Sequence, residues 1–136
     1  MVTIPQNLTT MSKVIINSSN APAPIGPYSQ AVLANNTLYV SGQVCFDPIS
    51  GALVNEDIVS ETHRVMKNLQ AILTEAGATF ADVVKCTIFV KDLNNFVAIN
   101  GAYGEYFNEN PPARETVEVS RLPRDVNVEI SCIAVL

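Results

Sequence analysis

The sequence predicts an α+β domain, with a mixed sheet and two helices packed on one of its faces. Three observations carry that prediction. Short β-branched runs alternate with two stretches in which apolar residues recur every three or four positions. The connections between these elements are short, and a hairpin lies among the first strands. Finally, 136 residues, 48% of them apolar and 15% charged, suffice for one core and are too few for two ordinary ones.

In chain order, residues 1–11 read as a flexible N-terminal extension and residues 12–136 as a single domain. Val14-Ile15-Ile16 is a short β-branched strand ended by Asn17-Ser18-Ser19-Asn20, and Ala21 to Tyr28, with three prolines and a glycine, is an ordered loop. Gln30 to Leu33 and Leu38 to Val44 form a hairpin about the turn pair Asn35-Asn36. Asp47 to Gly51 is a turn. From Ile58, the positions of Val65, Met66, Leu69, Ile72, Leu73 and Ala76 trace one helical face, with Gly77 as its stop. Val83 to Val90 is a strand. Asp92-Leu93-Asn94 offers caps for a second helix with Phe96, Ile99, Asn100, Tyr103 and Phe107 on its face, which Pro111-Pro112 ends. Thr116 to Val119 and Val126 to Leu136 are the last strands, and Pro123 supplies the turn between them. Two helices leave the other sheet face uncovered, and with so much apolar and so little charged residue the expected cover is subunit association.

Composition narrows the function. The net charge is −5 and the eight Lys and Arg are scattered singly, which disfavours tight binding to phosphate backbones. No apolar run approaches the roughly 20 residues of a membrane span. Met1 to Met11 has neither a basic nor an apolar leader region and contains no Arg, so the cytoplasm is the expected compartment. Cys45, Cys86 and Cys132 are far apart with no C-x-x-C spacing, and read as buried reduced thiols. With His63 the only histidine, neither a zinc site nor a histidine-activated nucleophile is expected. His63 reads as part of a solvated helix face, and Lys91 beside Asp92 as a solvated pair.

Five positions could carry chemistry. Arg114 stands where a loop delivers a side chain to a sheet edge, suited to a bidentate grip on a carboxylate; spacing alone favours a surface pair with Glu115 or Glu118. Period two places Val126, Val128, Ile130 and Cys132 on one face of the last strand and Asn127, Glu129 and Ser131 on the other, so Glu129 is on a wet face or in a cleft where it can handle protons. Asn100 interrupts an apolar helix face, and a buried amide needs partners. Tyr28 ends the Pro24-Ile25-Gly26-Pro27 loop. Ser41-Gly42 closes a strand where glycine permits close approach.

Taken together, from Ser12 to Leu136, the chain resembles the RidA/YjgF family, also known as endoribonuclease L-PSP. The segments that carry the likeness are Ala21 to Gln30, Val40-Ser41-Gly42-Gln43, Val90 to Phe96, and Pro112-Ala113-Arg114 through Arg121-Leu122-Pro123. The resemblance implies a chorismate-mutase-like fold, with a six-stranded mixed sheet and two helices on one face. It also implies a homotrimer with clefts between subunits, no metal or cofactor, and hydrolytic deamination of 2-iminobutanoate and 2-iminopropanoate. By the same resemblance, Arg114 holds the substrate carboxylate and Glu129 positions water or shuttles its proton. Tyr28, Ser41, Asn100 and Thr116 shape the pocket. Thr116 stands where many relatives have a cysteine. Glu115 replaces a small hydroxyl residue and is expected to face away from the clamp. The alternatives are a metabolite-binding or regulatory trimer without turnover, an endoribonuclease-type translation inhibitor, and a chaperone.

Overall fold

In the computed structural model, residues 12–136 are described. The predicted flexible extension over 1–11 lies outside the described residues. The strands are β1 (Val14–Ile16), β2 (Ala31–Ala34), β3 (Thr37–Gln43), β4 (Val83–Val90), β5 (Ala113–Glu118) and β6 (Val128–Val135); the helices are α1 (Ile58–Glu75) and α2 (Phe96–Gly104). The single sheet runs β1-β2-β3-β6-β4-β5. Every pairing is antiparallel except β4 with β5.

This topology explains why both helices share a face. β3 and β4 both run antiparallel to β6, so they are parallel to one another and α1 is their crossover. α2 is the crossover between the parallel β4 and β5. Both crossovers step in the same direction across the sheet, and the right-handed rule then puts both helices on one side. The predicted α+β sheet with two helices on one face is the observed one.

Between α1 and the sheet, Val65, Met66, Leu69, Ile72 and Leu73 pack against Leu38, Val40, Ile88, Val90, Val128 and Ile130, all buried. The Asp57 carboxylate accepts the Ser60 N–H at 2.8 Å and starts α1. Gly77, at φ +82°, ends it in the backbone region glycine enters without a Cβ penalty. On the opposite sheet face Ile15, Tyr39 and Val117 are exposed in the single chain.

Several boundaries differ from the sequence expectation. α2 stops at Gly104 rather than at the prolines, because Gly101 and Gly104 weaken it and the chain tightens into i→i+3 bonds from Glu105, Tyr106 and Phe107. Phe107 nevertheless packs on Tyr103, ring centroids 4.9 Å apart. β5 begins earlier, at Ala113, because it pairs with Lys85 onward in β4. β6 begins later, at Val128, because Pro123–Asp125 forms a tight turn with Arg124 and Asp125 both at positive φ. β2 begins after Gln30, whose buried side chain instead receives the Ser18 N–H at 2.6 Å and donates to the carbonyls of Ser18 and Pro22, pinning the proline loop. His63 is not on a solvated face: it is half-buried, with Nδ1 2.8 Å from the Tyr106 hydroxyl. Asp92 accepts the Asn94 N–H rather than forming an ion pair with Lys91 among the described residues.

Candidate functional site

The six flagged positions form two groups. Tyr28, Ser41 and Glu129 line one cleft of about 400 Å³, together with Ile25, Gln43 and Phe46. It lies where the proline loop crosses the end of β3. A register irregularity between Val40 and Gln43 turns Ser41-Gly42 out of the regular ladder with β6. Ser41 Oγ donates to the Ser29 carbonyl at 2.6 Å, so its proton is committed and only lone pairs face a ligand. Tyr28 is half-exposed, and its hydroxyl accepts a long 3.4 Å bond from the Ile25 N–H, leaving its own proton free.

Glu129 is half-buried over Gly42, and its carboxylate accepts no hydrogen bond among the described residues. A Cβ built on Gly42 would stand 2.9 Å from Glu129 Cδ and closer still to Oε2, so the glycine makes room for the acid. Burial without a compensating donor pushes the Glu129 carboxyl above its ordinary value. Such a group holds and releases protons nearer neutrality than a surface glutamate does.

Arg114, Asn100 and Thr116 lie elsewhere. Arg114 Nη1 donates to Asn100 Oδ1 at 2.8 Å. Its Cζ stands 5.1 Å from the Tyr103 ring centroid and 5.7 Å from that of Phe96. Thr116, two residues on and on the same face, has a buried Oγ1 with no partner among the described residues. The surface pairing with Glu115 or Glu118 expected from spacing is absent among the described residues. Glu115 faces the other way, bonded to Thr87 Oγ1 at 3.0 Å and Lys85 Nζ at 3.2 Å, and Glu118 receives the Leu93 N–H. Glu115 therefore leaves the guanidinium free of a competing carboxylate.

Strand register separates the two groups. Arg114 lies opposite Cys86, and Glu129 opposite Phe89, three residues further along β4. An odd offset puts the two side chains on opposite faces of the sheet. At about 4.8 Å per strand and 3.3 Å per residue, their Cα atoms are roughly 14 Å apart. One chain therefore carries, on opposite sheet faces, a guanidinium with an edge unpaired among the described residues and a carboxylate that accepts no hydrogen bond among them, and does not join the two.

Two residues were missed in the sequence. Gln43 is buried in the cleft wall. Glu61 is fully buried on α1 and accepts the N–H groups of Asn127 (2.7 Å) and Val128 (3.1 Å) and Asn127 Nδ2 (2.8 Å). It fixes the entry into β6 just ahead of Glu129. The signal was there: Ile58, Glu61, Thr62 and Val65 share one helical face, so an acid sits in an apolar stripe.

A mixed sheet with two crossover helices, a guanidinium seated on a helix and a carboxylate without a hydrogen-bond donor among the described residues at a β-bulge define a small α+β protein. Comparison with known proteins agrees in fold: the profile of the family described as Endoribonuclease L-PSP matches residues 18–136. The chain belongs to that family, the RidA/YjgF family. It is 52% identical over 124 residues to a RutC family protein of Pyrococcus abyssi, covering 91% of this chain and 98% of that one. It is 44% identical over 128 residues to a protein of Capra hircus named 2-iminobutanoate/2-iminopropanoate deaminase, covering 94% and 93%. The crystal structure of the YjgF gene product from E. coli superposes with a TM-score of 0.86 at 43% identity, covering 90% of this chain and 98% of that one.

Proposed function

We propose that this protein hydrolyses 2-imino acids such as 2-iminobutanoate and 2-iminopropanoate to 2-oxo acids and ammonia. The active unit is a homotrimer in which Arg114 of one copy meets Glu129 of the next. The observation that carries the proposal is the pairing of a guanidinium with a free edge and a half-buried carboxylate without donors, on opposite sheet faces of one chain. A second copy against the open face would complete the site and cover Tyr39 and Val117. The deaminase name of the goat relative supports the same chemistry.

In this reading Arg114 takes the substrate carboxylate through two parallel N–H bonds, which fixes the position of C2. Ser41, able only to accept, receives an N–H of the imine nitrogen. Glu129 removes a proton from water as the water oxygen bonds to C2. The C=N π pair moves to nitrogen, which takes that proton from Glu129 and leaves a carbinolamine. Glu129 then takes the carbinol hydroxyl proton and passes it to nitrogen, so that the C–N bond breaks with its electron pair on nitrogen and ammonia departs as the carbonyl forms. The electrophile is already reactive, so position and one tuned acid–base group suffice.

The endoribonuclease reading is less well supported by this chain: His63 is engaged with Tyr106, and the balance of charge is −5. The deciding experiment couples a threonine dehydratase to the protein and follows loss of 2-iminobutanoate, with particle mass measured by light scattering. Accelerated hydrolysis by a trimer is expected. An unaccelerated imine, or a stable active monomer, would refute the proposal.

A further inference from the structure

Arg114 is met by three side chains of α2: Phe96, Asn100 and Tyr103, four and three residues apart and therefore on one helical face. Asn100 holds one terminal nitrogen at 2.8 Å, and the two rings stand 5.7 and 5.1 Å from Cζ. Tyr103 is itself fixed, buried and packed on Phe107 at 4.9 Å. Its hydroxyl lies beside the Cys86 thiol without completing a hydrogen bond to any described residue. It is the ring of Tyr103, rather than its hydroxyl, that meets Arg114.

We infer that Tyr103 is a positioning residue for Arg114: its ring face, with that of Phe96, sets the plane of the guanidinium so that the edge not used by Asn100 is presented to a carboxylate. The inference rests on the reading of Arg114 as the substrate clamp. A ring beneath a guanidinium attracts it through the quadrupole while leaving every N–H edge free, which a hydrogen-bonding partner cannot do. An arginine stem has many rotamers, and freezing it before the ligand arrives reduces the entropy lost on binding. Asn100 alone fixes one nitrogen and would leave rotation about that contact. The rings remove it.

The test titrates 2-oxobutanoate calorimetrically into wild type, Tyr103→Phe, Tyr103→Leu, Arg114→Ala and the Tyr103→Leu/Arg114→Ala double variant, with KM and kcat measured for the imine. Tyr103→Phe keeps the ring and should rescue affinity to near wild type. Tyr103→Leu should weaken 2-oxobutanoate binding and raise KM by about tenfold, the size of a partly desolvated cation–π contact, with kcat changed less. In the Arg114→Ala background, Tyr103→Leu should cost nothing more. An equal loss in both backgrounds, or no loss from Tyr103→Leu alone, would overturn the inference while leaving the clamp standing. Normal binding by Arg114→Ala would overturn the clamp itself, and this inference with it. Should Tyr103→Leu fail to fold, fluorinated phenylalanines at position 103 keep shape while draining the ring face. Graded weakening is then expected, and unchanged affinity across the series refutes the inference.

Discussion

Two glutamates meet β6 near its start from opposite faces, and their surroundings could hardly differ more. Glu61 reaches in from α1, is fully buried, and accepts three N–H groups from Asn127 and Val128. Glu129 projects to the other side, half-buried over Gly42, and accepts none among the described residues. The difference teaches that donors, rather than depth, decide what a carboxylate does. A satisfied one is committed to holding backbone, even its neighbour Cys45 being pushed up to about 11 by burial and by the charge of Glu61. An unsatisfied one keeps its lone pairs and its proton for something that arrives.

The comparison breaks most sharply under substitution. Glu129→Gln keeps shape and removes basicity, so imine hydrolysis should fall by about 10²- to 10⁴-fold, while the thermal midpoint stays within a degree or two or rises. A large fall in the midpoint would mean that Glu129 is structural after all. Glu61→Ala should do the reverse in kind. It strands buried N–H groups and should lower unfolding stability by about 3 kcal/mol, at roughly 1 to 3 kcal/mol for each unsatisfied group. Denaturant melts would register this, and a loss below about 1 kcal/mol would show that water or rearrangement replaces the acid.

Gly42→Ala sharpens the contrast from the side of the backbone. The added methyl collides with the Glu129 carboxylate and should displace it, lowering kcat by about tenfold or more, as misplacement by an ångström does, with little change in fold stability. Normal kcat would show that Glu129 works from another position. The smallest effect is on pH dependence. The carboxyl of Glu129 is raised by burial, so the folded chain holds its proton more tightly than the unfolded chain. That contribution to stability is fully present below the unfolded value, roughly 4.3, and is lost as pH rises through the folded value. Stability curves of wild type and Glu129→Gln should diverge over that window, with wild type falling. Parallel curves would show that the site is better solvated than its burial indicates.

Much of the fold was legible because it rests on local pattern. The α1 stripe from Ile58 to Leu73, its Gly77 stop and the β-branched run Val83–Val90 are all visible in sequence and correct. Period two separated Glu129 from Val128 and Ile130, as observed. Asn100 drew notice as an amide in an apolar face, and its partner proves to be Arg114. What pattern could not reveal is that Arg114 and Glu129 face opposite ways. That depends on β4 lying between β5 and β6 and on the register of both pairings, which are facts of assembly. Glu61 escaped for a similar reason: its donors are 66 and 67 positions away. α2 ends before the prolines that the sequence marks as its stop because two glycines act first.

The place of β6 in the sheet has a consequence for how the chain is made. Last of the described strands in sequence, it lies between β3 and β4, at the centre. During synthesis the β1-β2-β3 meander and the β4-α2-β5 unit emerge first, each with an unsatisfied edge waiting for a strand still inside the ribosome. Those inner edges have no ladder until β6 has emerged, and its contacts with both are long-range. A chain without β6 in place exposes two sticky edges rather than one frayed end. Loss of β6 should therefore send the chain to aggregates, where removal of β1 from the sheet margin would leave the centre intact.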